Sequence, residues 1–264
     1  MIVAIIQARM NSTRLPGKVM LNVCGKPLLE HLVDRISDSR TIDKIVIATS
    51  MNKEDNVIVD FCKRKNFLCF RGSEYDLLSR YKIVADETKA DIIVRLTSDT
   101  PLLEYRMIDR VVDTYTQNKF DFVSNCYPLP RTYPDGVNVE VFSKDILDQM
   151  FTEAKKPSER EHVTFYVLMQ PKKFKIFRVD NKKDLSNYRF NLDYQQDYEF
   201  IKQIFENLYN EDKIFSLEDI IKFLENNPNI SKINSEIEPY KGILKSFDDD
   251  AKEGFELSEN FFKK

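Results

Sequence analysis

The chain has 264 residues, 42% of them apolar, which is enough core for one α/β domain or a domain with an appendage. Its 40 Lys and Arg are outnumbered by 43 Asp and Glu, and the net charge of −3 provides no general field to attract nucleic acid. No run approaches the roughly 20 apolar residues of a membrane span, and the apolar start at residues 2–6 is too short for a secretory leader, so a cytoplasmic location is expected.

Residues 2–6 form an aliphatic run typical of a strand buried on both faces. Residues 27–37 place Leu28, Leu32, Val33 and Ile36 at helical spacing. Strands at 44–49, 67–70 and 91–96 then alternate with helices at 54–65, 74–87 and 105–116, and 120–124 is a further strand. This rhythm predicts a Rossmann-like, mostly parallel, doubly wound sheet. It breaks near residue 125, where Pro128, Pro130, Pro134 and Gly136 mark an irregular loop. Val137, Val139 and Val141 then line one face of a strand at 136–142. Helices at 144–154 and 158–169, short strands at 174–179 and 188–192, and helices at 194–209 and 217–225 complete the pattern. The last helix is opened by Ser216 and Asp219, a loose capping box. Residues 1–230 read as one domain, with 136–170 a small β/α insertion, and 231–264 as a charged, aperiodic, peripheral tail.

Cys24, Cys62, Cys69 and Cys126 form no C-x-x-C pair, and histidine is limited to His31 and His162. A zinc site is not expected, and the thiols read as reduced packing residues.

Residues 7–18 are the informative loop. It follows the first strand, where ligands of open α/β sheets collect. Arg9, Arg14 and Lys18 bring three cations together, Ser12 and Thr13 add hydroxyls, and Gly17 allows close backbone approach. A guanidinium fork and a mobile ammonium suit polyphosphate. The loop is not a Walker A sequence. Asp99 lies just after the fourth strand, and Asp193 lies between a short strand and a helix, where it also suits a helix N-cap. Two strand-end carboxylates completed by water and phosphate oxygens are a minimal Mg²⁺ site.

Blocks running from Ala8-Arg9 and Ser12-Thr13-Arg14-Leu15-Pro16-Gly17-Lys18 onward carry a family resemblance. They continue through Gly25–Leu28, Phe70–Glu74, Asp76–Tyr81, Arg95–Pro101, Asp135–Phe142, Ser158–Thr164 and Asn191–Tyr194 with Asp197. The chain resembles the acylneuraminate and 3-deoxy-manno-octulosonate cytidylyltransferases, and among them the spore-coat polysaccharide branch. The Asp99 loop departs from the usual pattern of the sialic-acid and octulosonate enzymes, reading Thr-Ser-Asp-Thr-Pro.

The resemblance implies a nucleotidyltransferase fold and CMP transfer from CTP to a small acidic acceptor, with pyrophosphate released. That acceptor is a keto-sugar acid of surface-polysaccharide biosynthesis, or a phosphorylated or phosphonate compound. It implies nucleotide contacts from Ala8, Arg9, Ser12, Arg14, Lys18, Arg71, Ser73 and Asp99. Asp99 and Asp193 become Mg²⁺ ligands and, with Arg14 and Lys18, the catalytic set. Asp135, Asn138, Glu140, Arg160 and His162 fall towards the acceptor, and a homodimer through 136–170 is expected. Two alternatives are a nucleotide-sugar-dependent glycosyltransferase, which usually shows an Asp-x-Asp motif absent here, and a non-catalytic nucleotide-binding module.

Overall fold

Alternation along the first strand sets the plan of the molecule. Val3 and Ile5 point to one side, Ala4 and Ile6 to the other, and all four are fully buried. A strand buried on both faces must be covered by helices on both faces.

The computed structural model describes residues 1–238 and 240–255. Strand β1 (Ile2–Gln7) leads through a hairpin, β2 (Asn22–Val23) and β3 (Lys26–Pro27), into α1 (Leu28–Ser37). Then come β4 (Lys44–Ser50), α2 (Asn56–Lys65), β5 (Leu68–Gly72), α3 (Leu77–Thr88), β6 (Ile92–Thr97) and α4 (Tyr105–Thr116). The second half contains β7 (Phe122–Ser124), β8 (Glu140–Ser143), α5 (Lys144–Glu153), α6 (Pro157–His162), α7 (Phe165–Leu168) and β9 (Ile176–Arg178). Helices α8 (Gln195–Leu208), α9 (Leu217–Asn226), α10 (Pro228–Ser231) and α11 (Lys241–Lys252) follow.

The main sheet has the order β5-β4-β1-β6-β8-β7-β9. Its first four strands are parallel, β8 runs antiparallel between β6 and β7, and β9 is parallel to β7. One core forms where Ala4, Ile6, Ile47, Val94 and Leu96 meet α1, α2, α4, α8 and α9. The other joins Val3, Ile5, Val46, Phe122 and Phe142 to α3, α5 and α7. The expected α/β doubly wound architecture is present. The loose capping box is also formed, since Ser216 Oγ accepts from the Asp219 amide at 3.1 Å and Asp219 returns a bond to Ser216 N at 2.8 Å.

Four details differ from the sequence reading. The expected insertion 136–170 supplies a strand of the main sheet itself, because β8 lies between β6 and β7 with Val141 and Phe142 fully buried. The helix expected at 158–169 is split at Val163, whose φ of +60° is a conformation that a β-branched residue adopts only under constraint. Residues 188–192 form no strand among the described residues, only the single bridge between Asp135 and Arg189. There the two backbones pack so closely that a Cβ on Gly136, at φ +102°, would fall 2.3 Å from Asn191 N.

The fourth difference is the C-terminus. Residues 241–252 form α11, which docks on α6 with Ser246, Phe247 and Asp250 buried. Asp250 accepts from Ser158 N at 2.9 Å and from Ser158 Oγ at 2.5 Å. The docked face is largely polar, so hydrophobic spacing gives no sign of it. The rest of the expected tail, 256–264, lies outside the described residues. Among the described residues no helix is long and apolar enough to cross a membrane.

Phe142 joins the inserted strand to the second core at zero exposure. Phe142→Ala should therefore cost about 3–5 kcal/mol of stability in a urea titration. A loss below about 1 kcal/mol would mean that β8 is peripheral after all.

Candidate active site

A cavity of about 320 Å³ opens at the carboxyl ends of β1 and β6, next to the point where strand order reverses. The loop after β1 forms its floor. Gly17, at φ +71°, turns the loop back so that the amides of Ser12 and Gly17 both donate to Met10 O, at 2.9 and 2.8 Å. Met10 N donates to Asp55 Oδ1 at 2.7 Å, and the other oxygen of this buried carboxylate accepts from Thr49 Oγ1, Ser50 N and Ser50 Oγ. Burial alone would raise the Asp55 carboxyl. The bonds from Ser50, Met10 and Thr49 instead hold it below the usual carboxylate value. The loop is thereby fastened to the end of β4.

Lys18 is the hub of the site. Its side chain is buried, and Nζ donates to Asp99 Oδ2 at 2.8 Å, Asp193 Oδ1 at 2.9 Å and Leu192 O at 2.6 Å. All three ammonium protons have acceptors. Burial would lower the Lys18 ammonium, but Asp99 and Asp193 hold it above its ordinary value. Arg14 Nη2 also reaches Asp193 Oδ1, at 2.5 Å, with its guanidinium 5.5 Å from the Tyr194 ring. Burial would raise the Asp193 carboxyl, and the charges of Lys18 and Arg14 hold it far below the usual range.

Asp193 is also braced from behind. Arg189 Nη2 donates to Asp193 Oδ2 at 3.1 Å, while its Nε donates to the fully buried Asp197 at 3.0 Å. Asp197 accepts from the amides of Asp193 and Tyr194 and from Asn234 Nδ2. Helix α8 is thus capped by Asp197, and Asp193 is left free to face the cavity. The Asp99 and Asp193 loops are joined directly, since Leu192 N donates to Asp99 O at 2.9 Å.

The remaining expected site residues divide into two groups. Ala8, Arg9, Ser12, Asp135, Asn138, Glu140 and His162 line the cavity. Glu140 pairs with Arg95 and accepts from Thr164 Oγ1 at 2.5 Å, and Asp135 pairs with Arg131 at 2.7 Å. Arg71, Ser73 and Arg160 do not line it. Arg71 donates to Ser50 O, Asn52 O and Asn56 Oδ1 at 2.7–2.8 Å, and so braces the segment between β4 and α2. Ser73 Oγ accepts from Asp76 N at 3.1 Å, and Arg160 pairs with Asp76 at 2.6 Å.

The cavity also gathers residues that the sequence reading left without a role, namely Glu74, Arg80, Arg95, Arg131, Arg189 and the stretch 240–243. A signal for two of them was present. Arg131 and Arg189 each stand four residues before an aspartate, Asp135 and Asp193, and each forms that ion pair.

Asp99 and Asp193 each place an oxygen on the same cationic point, the Lys18 ammonium. Two carboxylates converging in this way suit Mg²⁺, which retains water and phosphate oxygens as its other ligands. The described residues hold no cluster of three or more His, Cys, Asp and Glu that would make a closed protein cage for a metal.

A doubly wound sheet with a cationic loop after its first strand, facing two strand-end carboxylates, is a nucleotidyltransferase architecture. A cytidylyltransferase family model matches residues 3–232, and the chain belongs to that family. It is 36% identical over 240 residues to an uncharacterised protein of Methanocaldococcus jannaschii, across 89% of this chain and 95% of that one. It is 32% identical over 234 residues to the spore coat polysaccharide biosynthesis protein SpsF of Bacillus subtilis, across 86% and 95% of the two chains. The solved structure of a cytidylyltransferase from Leptospira borgpetersenii superposes with a TM-score of 0.83 at 34% identity, covering 88% of this chain and 96% of that one.

His162 offers a test of how α11 is docked. Its Nε2 lies 2.8 Å from Ser246 Oγ, and its ring stacks on Phe165 at 4.4 Å. Burial pushes the imidazole down to about 4, with Glu161 opposing and Arg95 adding to the shift. The folded state therefore keeps a neutral ring while the unfolded chain takes up a proton, so this stability is present above about pH 6.5 and is lost as the pH falls towards about 4. Over that window the melting temperature of the wild type should fall more steeply than that of His162→Gln. Parallel curves would remove His162 as the source.

Proposed function

We propose that the protein transfers CMP from CTP to a small acidic acceptor, with Mg²⁺ as cofactor and pyrophosphate as the second product. One observation carries this reading: Arg14, Lys18, Asp99 and Asp193 meet within hydrogen-bonding distance at the end of β1 and β6. The family match supplies the nucleotide class. The relationship to a spore coat polysaccharide protein favours a keto-sugar acid as acceptor, with a phosphorylated or phosphonate compound of similar size as the other chemical choice. The enzyme acts in the cytoplasm, as a homodimer whose contact lies on the helical part of 136–170.

In this mechanism an acceptor oxygen forms a bond to the α-phosphorus while the bond to the β-phosphate oxygen breaks in line with it. Positioning and charge neutralisation supply most of the rate. Arg14 and Lys18 offset the charge that builds on the departing pyrophosphate, and Arg9 and Ser12 hold its outer oxygens. Asp99 and Asp193 would hold a Mg²⁺ ion, which would supply charge neutralisation at the α-phosphate and lower the pKa of an acceptor hydroxyl. Asp135, Asn138, Glu140 and His162 orient the acceptor. A phosphate or phosphonate acceptor is already an anion and needs no general base.

The direct test is pyrophosphate release from each of the four nucleoside triphosphates with Mg²⁺ and a panel of keto-sugar acids, sugar phosphates and phosphonates. Release is expected with CTP and one acidic class, and only with the metal present. Silence across the whole panel would overturn the reading. Asp99→Asn should lower turnover by about a hundredfold or more with the fold intact, and Lys18→Ala should weaken CTP binding or slow turnover by a similar factor. Wild-type turnover in either variant would remove that residue from the chemistry.

A further inference from the structure

Arg35 and Arg80 are both buried, at 4% exposure each, and neither has a carboxylate partner among the described residues. Their surroundings differ. Arg35 donates to the carbonyls of Leu102, Leu103 and Phe215 at 3.0–3.2 Å and lies 3.9 Å from the Phe215 ring, so its charge is spread over three acceptors and a π face. Arg80 makes a single long bond, from Nη1 to Ala48 O at 3.3 Å, and its Nε is shielded from water without a partner. A buried guanidinium with one long bond and a shielded, unpartnered Nε destabilises the free protein. Burial, reinforced by the Arg9 charge and opposed by Tyr81, holds it below its ordinary value.

The chain keeps Arg80 in that position. A Cβ on Gly72, the last residue of β5, would lie 2.6 Å from Arg80 Cγ. Ala48 O, which accepts from Arg80, also accepts from Ala8 N at 3.0 Å, so the guanidinium is fixed at the start of the phosphate loop. It belongs to the cavity wall.

The cavity has two unlike sides about the Lys18 centre. Towards β8 its guanidiniums are already paired, Arg95 with Glu140 and Arg131 with Asp135. Towards β5 the wall contains the carbon surfaces of Ala8 and Leu77, the buried guanidinium of Arg80 with the exposed Arg9 beside it, and one carboxylate, Glu74, anchored by Asn52. A partly apolar wall that sets a buried guanidinium near an anchored carboxylate suits a flat heteroaromatic ring carrying both acceptors and a donor, since a carboxylate there would repel a second polyanion.

We propose that Arg80 and Glu74 read the cytosine ring, Arg80 donating to its O2 and N3 acceptors and Glu74 accepting from its exocyclic N4 amino group. The inference rests on the cytidylyl reading above and adds its base selectivity. Cytosine presents an amino donor at the position where uracil presents a carbonyl acceptor. Uracil also carries a proton on N3. It would place donor against donor at Arg80 and oxygen against carboxylate at Glu74, and polar groups left unpaired in a closed site discriminate strongly.

The test is calorimetric titration of wild type, Arg80→Met and Glu74→Gln with CTP and with UTP, each with Mg²⁺, alongside melting of the free proteins. Wild type should prefer CTP by about tenfold or more, and each variant should lose most of that preference through weaker CTP binding. The melting temperature of Arg80→Met should hold or rise, because the substitution removes an uncompensated charge at similar volume. An equal loss for CTP and UTP in Arg80→Met would make Arg80 a phosphate or structural residue and overturn the inference. So would a CTP preference retained in both variants. Should Arg80→Met fail to fold, the half-exposed Glu74→Gln decides alone. A wild type indifferent between CTP and UTP would overturn the cytidylyl reading itself, whereas a wild type that prefers CTP beside variants that still do overturns only the base readout.

Discussion

A buried ammonium cannot stand alone, and the site is organised around that requirement at Lys18. Its three protons are satisfied by Asp99, Asp193 and the carbonyl of Leu192, which come from parts of the chain that are far apart in sequence. The two carboxylates and the carbonyl together replace the water that the buried ammonium has given up. The same contacts that make Lys18 tolerable therefore bring the phosphate loop, the end of β6 and the start of α8 to one point before any ligand arrives. Preorganisation of this kind spares the reaction the cost of assembling its own charges.

Behind that point the supports form a chain of paired charges. Asp193 leans on Arg189, Arg189 on the fully buried Asp197, and Asp197 on two backbone amides and Asn234. The phosphate loop leans on Asp55 in the same way. The matched family region ends at residue 232, yet residues 240–243 line the cavity and α11 is fixed to α6 by Asp250 and Ser158. The C-terminal segment thus adds to the cavity wall from beyond the matched region.

Much of the architecture was legible because burial on both faces of a parallel strand writes an unbroken aliphatic run, as at 2–6 and 44–49. The meeting of the 7–18 loop with Asp99 and Asp193 was legible because all three follow strands or strand-like segments and so fall at one edge of the sheet. What escaped had other physical causes. Helix α11 is held by buried hydrogen bonds rather than an apolar stripe, so periodicity could not reveal it. Arg71 and Arg160 have the right chemistry for ligands, but Ser50 O and Asn52 O engage the first and Asp76 the second, and only coordinates show such prior engagement. Val163 breaks a pattern that spacing alone reads as one helix.

The free protein gives up stability at chosen places. Buried side-chain donors without a partner are uncommon in folded proteins. Among the described residues they are Arg80 Nε, Arg95 Nε and Tyr209 Oη. Tyr209 packs beside His31, whereas Arg80 and Arg95 both border the cavity. Random imperfection would scatter such atoms through two cores. Two of the three instead border one cleft, so the polar deficit is concentrated at the cavity rather than in the packed interior.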